Sequence, residues 1–234
     1  MERRRKLGRV YALGLVGVLG AGCAHEEGLV PAPQATTTPG RPQVAYDQAE
    51  DVAVFVDGDA WKGKPRDLEK VMAPLWVTVQ NHGEQPVRLL YRDFSLELPS
   101  GLRVTPLPPF AINTPGPVRT RAITQPGFFA SGFYLSPPYG GFYPGMRVWY
   151  RALPVDPFFY DTYYARWRVS LPTEDMLRSA LPEGVLSAGG SVSGFLYFPD
   201  VPADAKGTFT FRASLAEEQD GASYASVDIP LRPK

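Results

Sequence analysis

The chain has 234 residues, 44% hydrophobic and 21% charged, with Lys+Arg and Asp+Glu balanced at 24 each. This is a globular composition, long enough for one sizeable core, and it has none of the basic excess that holds nucleic acid. Pro 25 and Gly 23 favour many turns over long helices, and a single cysteine excludes an internal disulfide.

The N-terminus opens with Arg3, Arg4, Arg5, Lys6 and Arg9, then an apolar run from Val10 to Gly22. A helix needs roughly 20 residues to cross a bilayer, so this run is too short to span it comfortably. A basic head before a short apolar core is the pattern of an export signal. Its removal over residues 1–22 takes away five basic residues and one acid, leaving the mature chain near −4. The signal ends in Leu19-Gly20-Ala21-Gly22-Cys23. That ending resembles the lipobox of bacterial lipoproteins, with Gly20 standing where the motif usually carries an aliphatic residue. The resemblance implies that Cys23 becomes the first residue and carries acyl chains, palmitate among them. Several chains anchor firmly where one alone would be marginal. Ala24 after the cysteine implies the outer membrane, on its periplasmic face or at the cell surface. Residues 23–45 are rich in Pro, Thr, Ala and Gly and lack periodicity, so they read as the lipidated cysteine and a flexible tether.

Residues 46–234 read as strands. Val52, Val54 and Val56 alternate and predict a first strand, ended by the turn Asp57-Gly58-Asp59. Asp67 to Met72 predicts a short helix, capped by Asp67 and stopped by Pro74. In the central stretch, Leu75, Val77 and Val79 occupy one face and Trp76, Thr78 and Gln80 the half-exposed other. Asn81-His82-Gly83-Glu84 predicts a chain reversal. Val87 to Tyr91, Phe94 to Leu98, and Leu102 with Val104 follow as strands. Weaker strands are expected at Arg119–Thr124, Met146–Leu153 and Thr162–Val169. Thr173 caps a short helix bearing Met176, Leu177, Ala180 and Leu181, ended by Pro182 and Gly184. Ser191–Phe198, Phe209–Leu215 and Ala225–Leu231 are the last strands. Short strands between regular turn signals indicate an antiparallel sandwich or barrel.

Two patches carry a family resemblance. Asn81-His82-Gly83-Glu84-Gln85-Pro86-Val87 is similar to the N-x-G-x-x-P-V turn of Ig-like domains in exported bacterial proteins, including telokin-like domains of lipoproteins. Leu186 to Ser191, leading into Gly194-Phe195-Leu196-Tyr197-Phe198, is similar to their later strand pair. The resemblance implies an all-β, antiparallel Ig-like β-sandwich with one or two short helices. Residues 126–167 then stand as an insertion. The family supplies no catalytic residues.

That insertion holds 15 of the 29 aromatic residues, and no charged residue occurs from Pro126 to Met146. Tyr134, Tyr139, Phe142, Tyr143, Trp149, Tyr150, Phe158, Phe159 and Tyr160 are therefore the candidate binding surface for a protein or glycan partner. The same rings also suit the headgroup zone of a membrane, or simple cover for the sandwich. His25 and His82 fall in the tether and a turn, which gives no Ser–His–acid arrangement. No set of three or four converging metal ligands is evident. Asp57 with Asp59, and Glu217 and Glu218 with Asp220, read as solvated turns rather than calcium loops. The expectation is a membrane-anchored, non-catalytic binding or assembly module without cofactor, metal or nucleic acid. The alternative is a carboxylate-based, glycan-directed envelope hydrolase.

Overall fold

Period-two alternation governs most of the chain. A computed structural model describes residues 28–108, 123, 125–151, 153, 173–199, 201, 205–219 and 221–234. Cys23 and the signal, Phe158, Phe159, Tyr160, Asp220 and the Thr162–Val169 strand lie outside these residues, as does Arg119–Thr124 except Ile123. The described strands are β1 (Leu29–Pro31), β2 (Thr37–Thr38), β3 (Arg41–Ala49), β4 (Val52–Asp57), β5 (Met72–Asn81), β6 (Val87–Leu89), β7 (Phe94–Glu97), β8 (Arg103–Val104), β9 (Phe129–Leu135), β10 (Gly184–Pro199), β11 (Phe209–Glu217) and β12 (Ser223–Pro233). One α-helix is described, α1 (Glu174–Ser179), and the Thr173 hydroxyl caps it by accepting from the Met176 N–H at 3.4 Å.

The all-β antiparallel class is as expected. The two layers belong to one continuous sheet, ordered β1-β12-β11-β6-β10-β5-β4-β3-β2, with β7 and β8 added beside β11 and β9 beside β10. The sheet folds over until its ends nearly meet: the Asp228 N–H on β12 donates to Asp47 Oδ2 on β3 at 3.3 Å. Among the described residues, every pairing between named strands is antiparallel. The main core lies between the layers and takes Val54, Val77, Val79, Leu196, Phe198, Phe211, Val227 and Ile229, each at most 2% exposed. A smaller cluster packs on the outer side of β5 and β10, where Phe195, Tyr197 and Met72 meet Trp61, Leu68, Met176 and Ala180. Gly194 lets the segment after α1 approach β10, since a Cβ there would lie 2.6 Å from the Leu181 backbone.

Several expectations need correction. Residues 28–45 are not a tether: β1, β2 and the start of β3 lie there, and Leu29 and Ala45 reach the main core. Thr, Pro and Ala are compatible with short edge strands, so polarity and missing periodicity misled there. Val52–Asp57 is consequently the fourth strand. Only a 3-10 turn, Leu68–Lys70, occupies the region of the expected helix, and the Asp67 side chain makes no cap. Pro74 lies inside β5, paired with Tyr197 on β10. It is tolerated because β4 pairs β5 only from Trp76 onward, so no ladder is needed on its other side.

Asn81-His82-Gly83-Glu84 does not reverse the chain. β5 and β6 run in the same direction along one side of β10, through Gln80↔Ser191 and then Val87↔Leu186. The interruption sits opposite a bulge in β10 between Leu186 and Ser191, so the expected Gly-rich turn is a bulge inside one 16-residue strand. Asn81 is fully buried and stitches the two irregularities together. Its Nδ2 donates to Gln85 O at 2.8 Å and to Leu186 O and Ser187 O at 3.2 Å, while Oδ1 accepts from the Gly83 N–H at 3.0 Å. A Cβ at Gly83 would meet the Tyr224 hydroxyl at 2.6 Å, so a larger residue there has to displace that side chain.

The aromatic segment is also partly integral. β9, within the expected insertion, pairs with β10 on the side opposite β5. Among the described residues, Met146–Leu153 forms no named strand, and its one β-bridge to the sheet is Leu135↔Val148.

Candidate functional site

The rings expected to form a binding surface divide sharply. Tyr139 and Tyr143 are 0% and 1% exposed and belong to the main core. They are removed from the surface because the chain folds back after β9 through a 3-10 turn, Pro137–Tyr139, which drives both rings inward. Their hydroxyls are satisfied inside: Tyr143 donates to Leu177 O at 3.0 Å and Tyr139 to Glu183 Oε2 at 3.3 Å. Burial pushes the Tyr143 hydroxyl well above the ordinary phenol range. Phe142 is half-buried against the same core. Tyr134 and Trp149 meet edge-on at 5.6 Å, and Trp149 Nε1 donates to Glu218 Oε1 at 3.1 Å. Only Tyr150, 95% exposed, stands free in solvent among the described members of that set.

A different group of rings is presented outward. Cross-strand partners share a sheet face. Tyr46↔Phe55, Phe55↔Thr78, Thr78↔Ser193 and Ser193↔Phe129 are successive partners, so these five residues form one lateral row across β3, β4, β5, β10 and β9. At about 4.8 Å per strand, the row spans roughly 19 Å. Its middle is short and polar, with Thr78 Oγ1 and Ser193 Oγ 2.8 Å apart and hydrogen-bonded. Its ends are aromatic. Tyr46 stacks on Phe55 with centroids 5.4 Å apart, and Phe129 is 72% exposed.

The neighbouring row is Val44↔Asp57, Asp57↔Trp76 and Trp76↔Phe195. Trp76 stands edge-on to Phe195 at 4.9 Å and to Phe129 at 6.1 Å, making one wall of the depression. Phe195 is fixed from behind by Trp61 at 5.1 Å, whose Nε1 donates to Pro65 O at 2.9 Å. Small side chains between large ones leave an open groove of about 420 Å³, lined also by Arg41 and Gln80.

Asp57 sits at the β4 side of this groove. Burial raises its carboxyl above the usual range, against the Asp59 N–H donated to its Oδ1 at 3.0 Å. Asp59 itself pairs with Lys234 Nζ at 3.1 Å. Glu218 pairs with Arg151 at 3.3 Å. His82 is exposed, with its backbone N–H bonded to Asp51 O at 2.7 Å. Among the described residues, no group of three or more His, Cys, Asp and Glu is placed to hold a metal ion. No described helix is long and apolar enough to cross a membrane.

Trp76, Thr78 and Gln80 were legible in sequence as the outward set of β5. Phe55, Asp57 and Phe129 were not assigned to a site, because the pairing of β4, β5, β10 and β9 joins positions far apart in the chain, 115 residues for Thr78 and Ser193. One signal was available: the outward set of β5 carries an indole, a hydroxyl and an amide instead of charges. Comparisons with protein-family models, curated proteins and solved structures found no match.

Proposed function

We propose that this chain is a lipid-anchored protein of the bacterial cell envelope whose folded part is a non-catalytic binding or assembly module. In this reading Cys23 carries the acyl chains, the protein sits at the outer membrane, and the sandwich is Ig-like. The observation that carries the binding role is the groove across β3, β4, β5, β10 and β9. There Phe129 keeps most of its ring in solvent on a face that also offers hydroxyl and amide groups. Large aromatic area held rigidly by a sheet binds at low entropic cost. The basic head, short apolar core and Leu19-Gly20-Ala21-Gly22-Cys23 ending support the anchor.

Two measurements test it in cells expressing the full-length chain. Palmitate labelling is expected to vanish in Cys23→Ala, and labelling that survives removes the anchor. A photoreactive phenylalanine replacing Phe129 is expected to capture a discrete envelope component. The same probe replacing Ser226, exposed on β12, should not. Equal capture at both positions, or none at either, removes the binding role of the groove.

A further inference from the structure

We propose that the groove binds a neutral oligosaccharide, laid across the strands with its sugar rings over Phe129 and Phe55. This rests on the binding-module reading and adds the chemical class of the ligand. Three features of the groove select that class.

The first is charge. One carboxylate, Asp57, and one guanidinium, Arg41, are the charged groups in the lining. They balance, so the groove offers no net attraction to a polyanion such as a phosphate-rich chain, which calls for several cations.

The second is the alternation of apolar and polar surface. A pyranose with equatorial substituents presents C–H groups on its flat faces and hydroxyls around its edge. The row of Tyr46, Phe55, Thr78, Ser193 and Phe129 offers rings at both ends and hydroxyls between, with Gln80 and Asp57 on either side. Gln80 can donate and accept, and Asp57 keeps one oxygen beyond the one bonded to Asp59 for a sugar hydroxyl. An alkyl chain in the same place would desolvate Asp57 without giving it a partner, which costs free energy.

The third is orientation. Peptides commonly bind sheets by adding a strand to a free edge. This groove crosses the face of β4, β5 and β10, each of which is paired on both sides, so their main-chain groups are already used. On β4, β5 and β10 an extended peptide would find no ladder to join, whereas a sugar needs none.

The test uses the full-length chain in mild detergent and the neutral probes cellotetraose and chitotetraose, read by calorimetry and by quenching of tryptophan fluorescence. At least one probe is expected to bind saturably. Phe129→Ala should weaken binding by roughly tenfold, the upper range for one aromatic contact. Gln80→Ala should weaken it several-fold, and Arg212→Ala, on the far face, should leave it unchanged. Because Phe129 is largely exposed, its loss does not threaten folding, and thermal melts of each variant verify this. Saturable binding that is indifferent to Phe129→Ala places the sugar elsewhere and overturns the proposal. Absence of binding by both probes, while the photoreactive residue at position 129 still captures a component in cells, overturns the ligand class and leaves the binding module standing. Failure of that capture as well removes both.

Discussion

Two outward faces of the same sheet solve the problem of exposure differently. On β7, β8, β11 and β12, charges close on one another. Arg212 Nε and Nη2 grip the two Asp228 oxygens at 2.6 and 2.7 Å, and Glu97 accepts from Arg103 at 3.2 Å while lying 3.8 Å from Arg212. On β3, β4, β5, β10 and β9 the outward row holds rings and hydroxyls, and Phe129 at its end remains largely exposed. Ion pairs on an exposed sheet satisfy themselves and resist edge-to-edge or face-to-face sticking. An uncovered aromatic gains nothing in folding from its exposure. The first face closes its charges on itself, whereas the second leaves aromatic area open, and that open area is what the proposed binding role draws on.

The largest test of that contrast is Trp61→Ala. Trp61 is 4% exposed and braces Phe195 and Tyr197 behind the groove wall. Truncating a buried tryptophan costs about 3–5 kcal/mol, so urea denaturation should show a loss of that size together with a collapsed groove. A loss below about 1 kcal/mol would mean that the outer cluster is not part of the cooperative core.

The pH response should separate the two faces by sign. Asp57 is raised from 3.8 by burial, so its folded form holds a proton more tightly than the unfolded chain does. Its contribution to stability is full below 3.8 and is lost as pH rises through the raised value. Asp228 is lowered from 3.8, chiefly by its hydrogen bond to Arg212. Its contribution is present above 3.8 and is lost as pH falls through the lowered value. Near neutral pH, Asp57→Asn is therefore expected to raise the melting temperature slightly and Asp228→Asn to lower it. Carboxyl titration by NMR should show Asp57 titrating above Asp228, and the reverse order would cancel the distinction.

The smallest effect is expected at Arg212→Ala. Its pairs are exposed on a sheet surface, where such interactions are worth about 0–1 kcal/mol. A chemical denaturation midpoint shifted by more than this would make the charged face structural, and the contrast with the groove would weaken.

The residues themselves disclose where these faces are only in part. Period-two alternation in Leu75–Gln80 and Phe209–Leu215 named the strands and their inward sides, because each strand's pleat is a local property. The cap of α1 at Thr173 was equally local. The reversal at Asn81 was misread because nearby residues cannot tell a turn from an interruption. That distinction is made by Leu186 and Ser187, a hundred positions away, accepting from the Asn81 amide. The aromatic segment was misread for a similar reason. Composition counts rings, but only packing against Leu177 and Glu183 sends Tyr139 and Tyr143 inside.

The sequence by itself determined an antiparallel all-β chain, its turn-rich punctuation and the alternating faces of its central strands, since these follow from neighbours two residues apart. Tertiary structure alone decided that residues 28–45 join the sheet, that β5 and β6 share one side of β10, and which rings remain outward. Register between distant strands sets those outcomes. A groove assembled from β3, β4, β5, β9 and β10 comes into being only when that register is made.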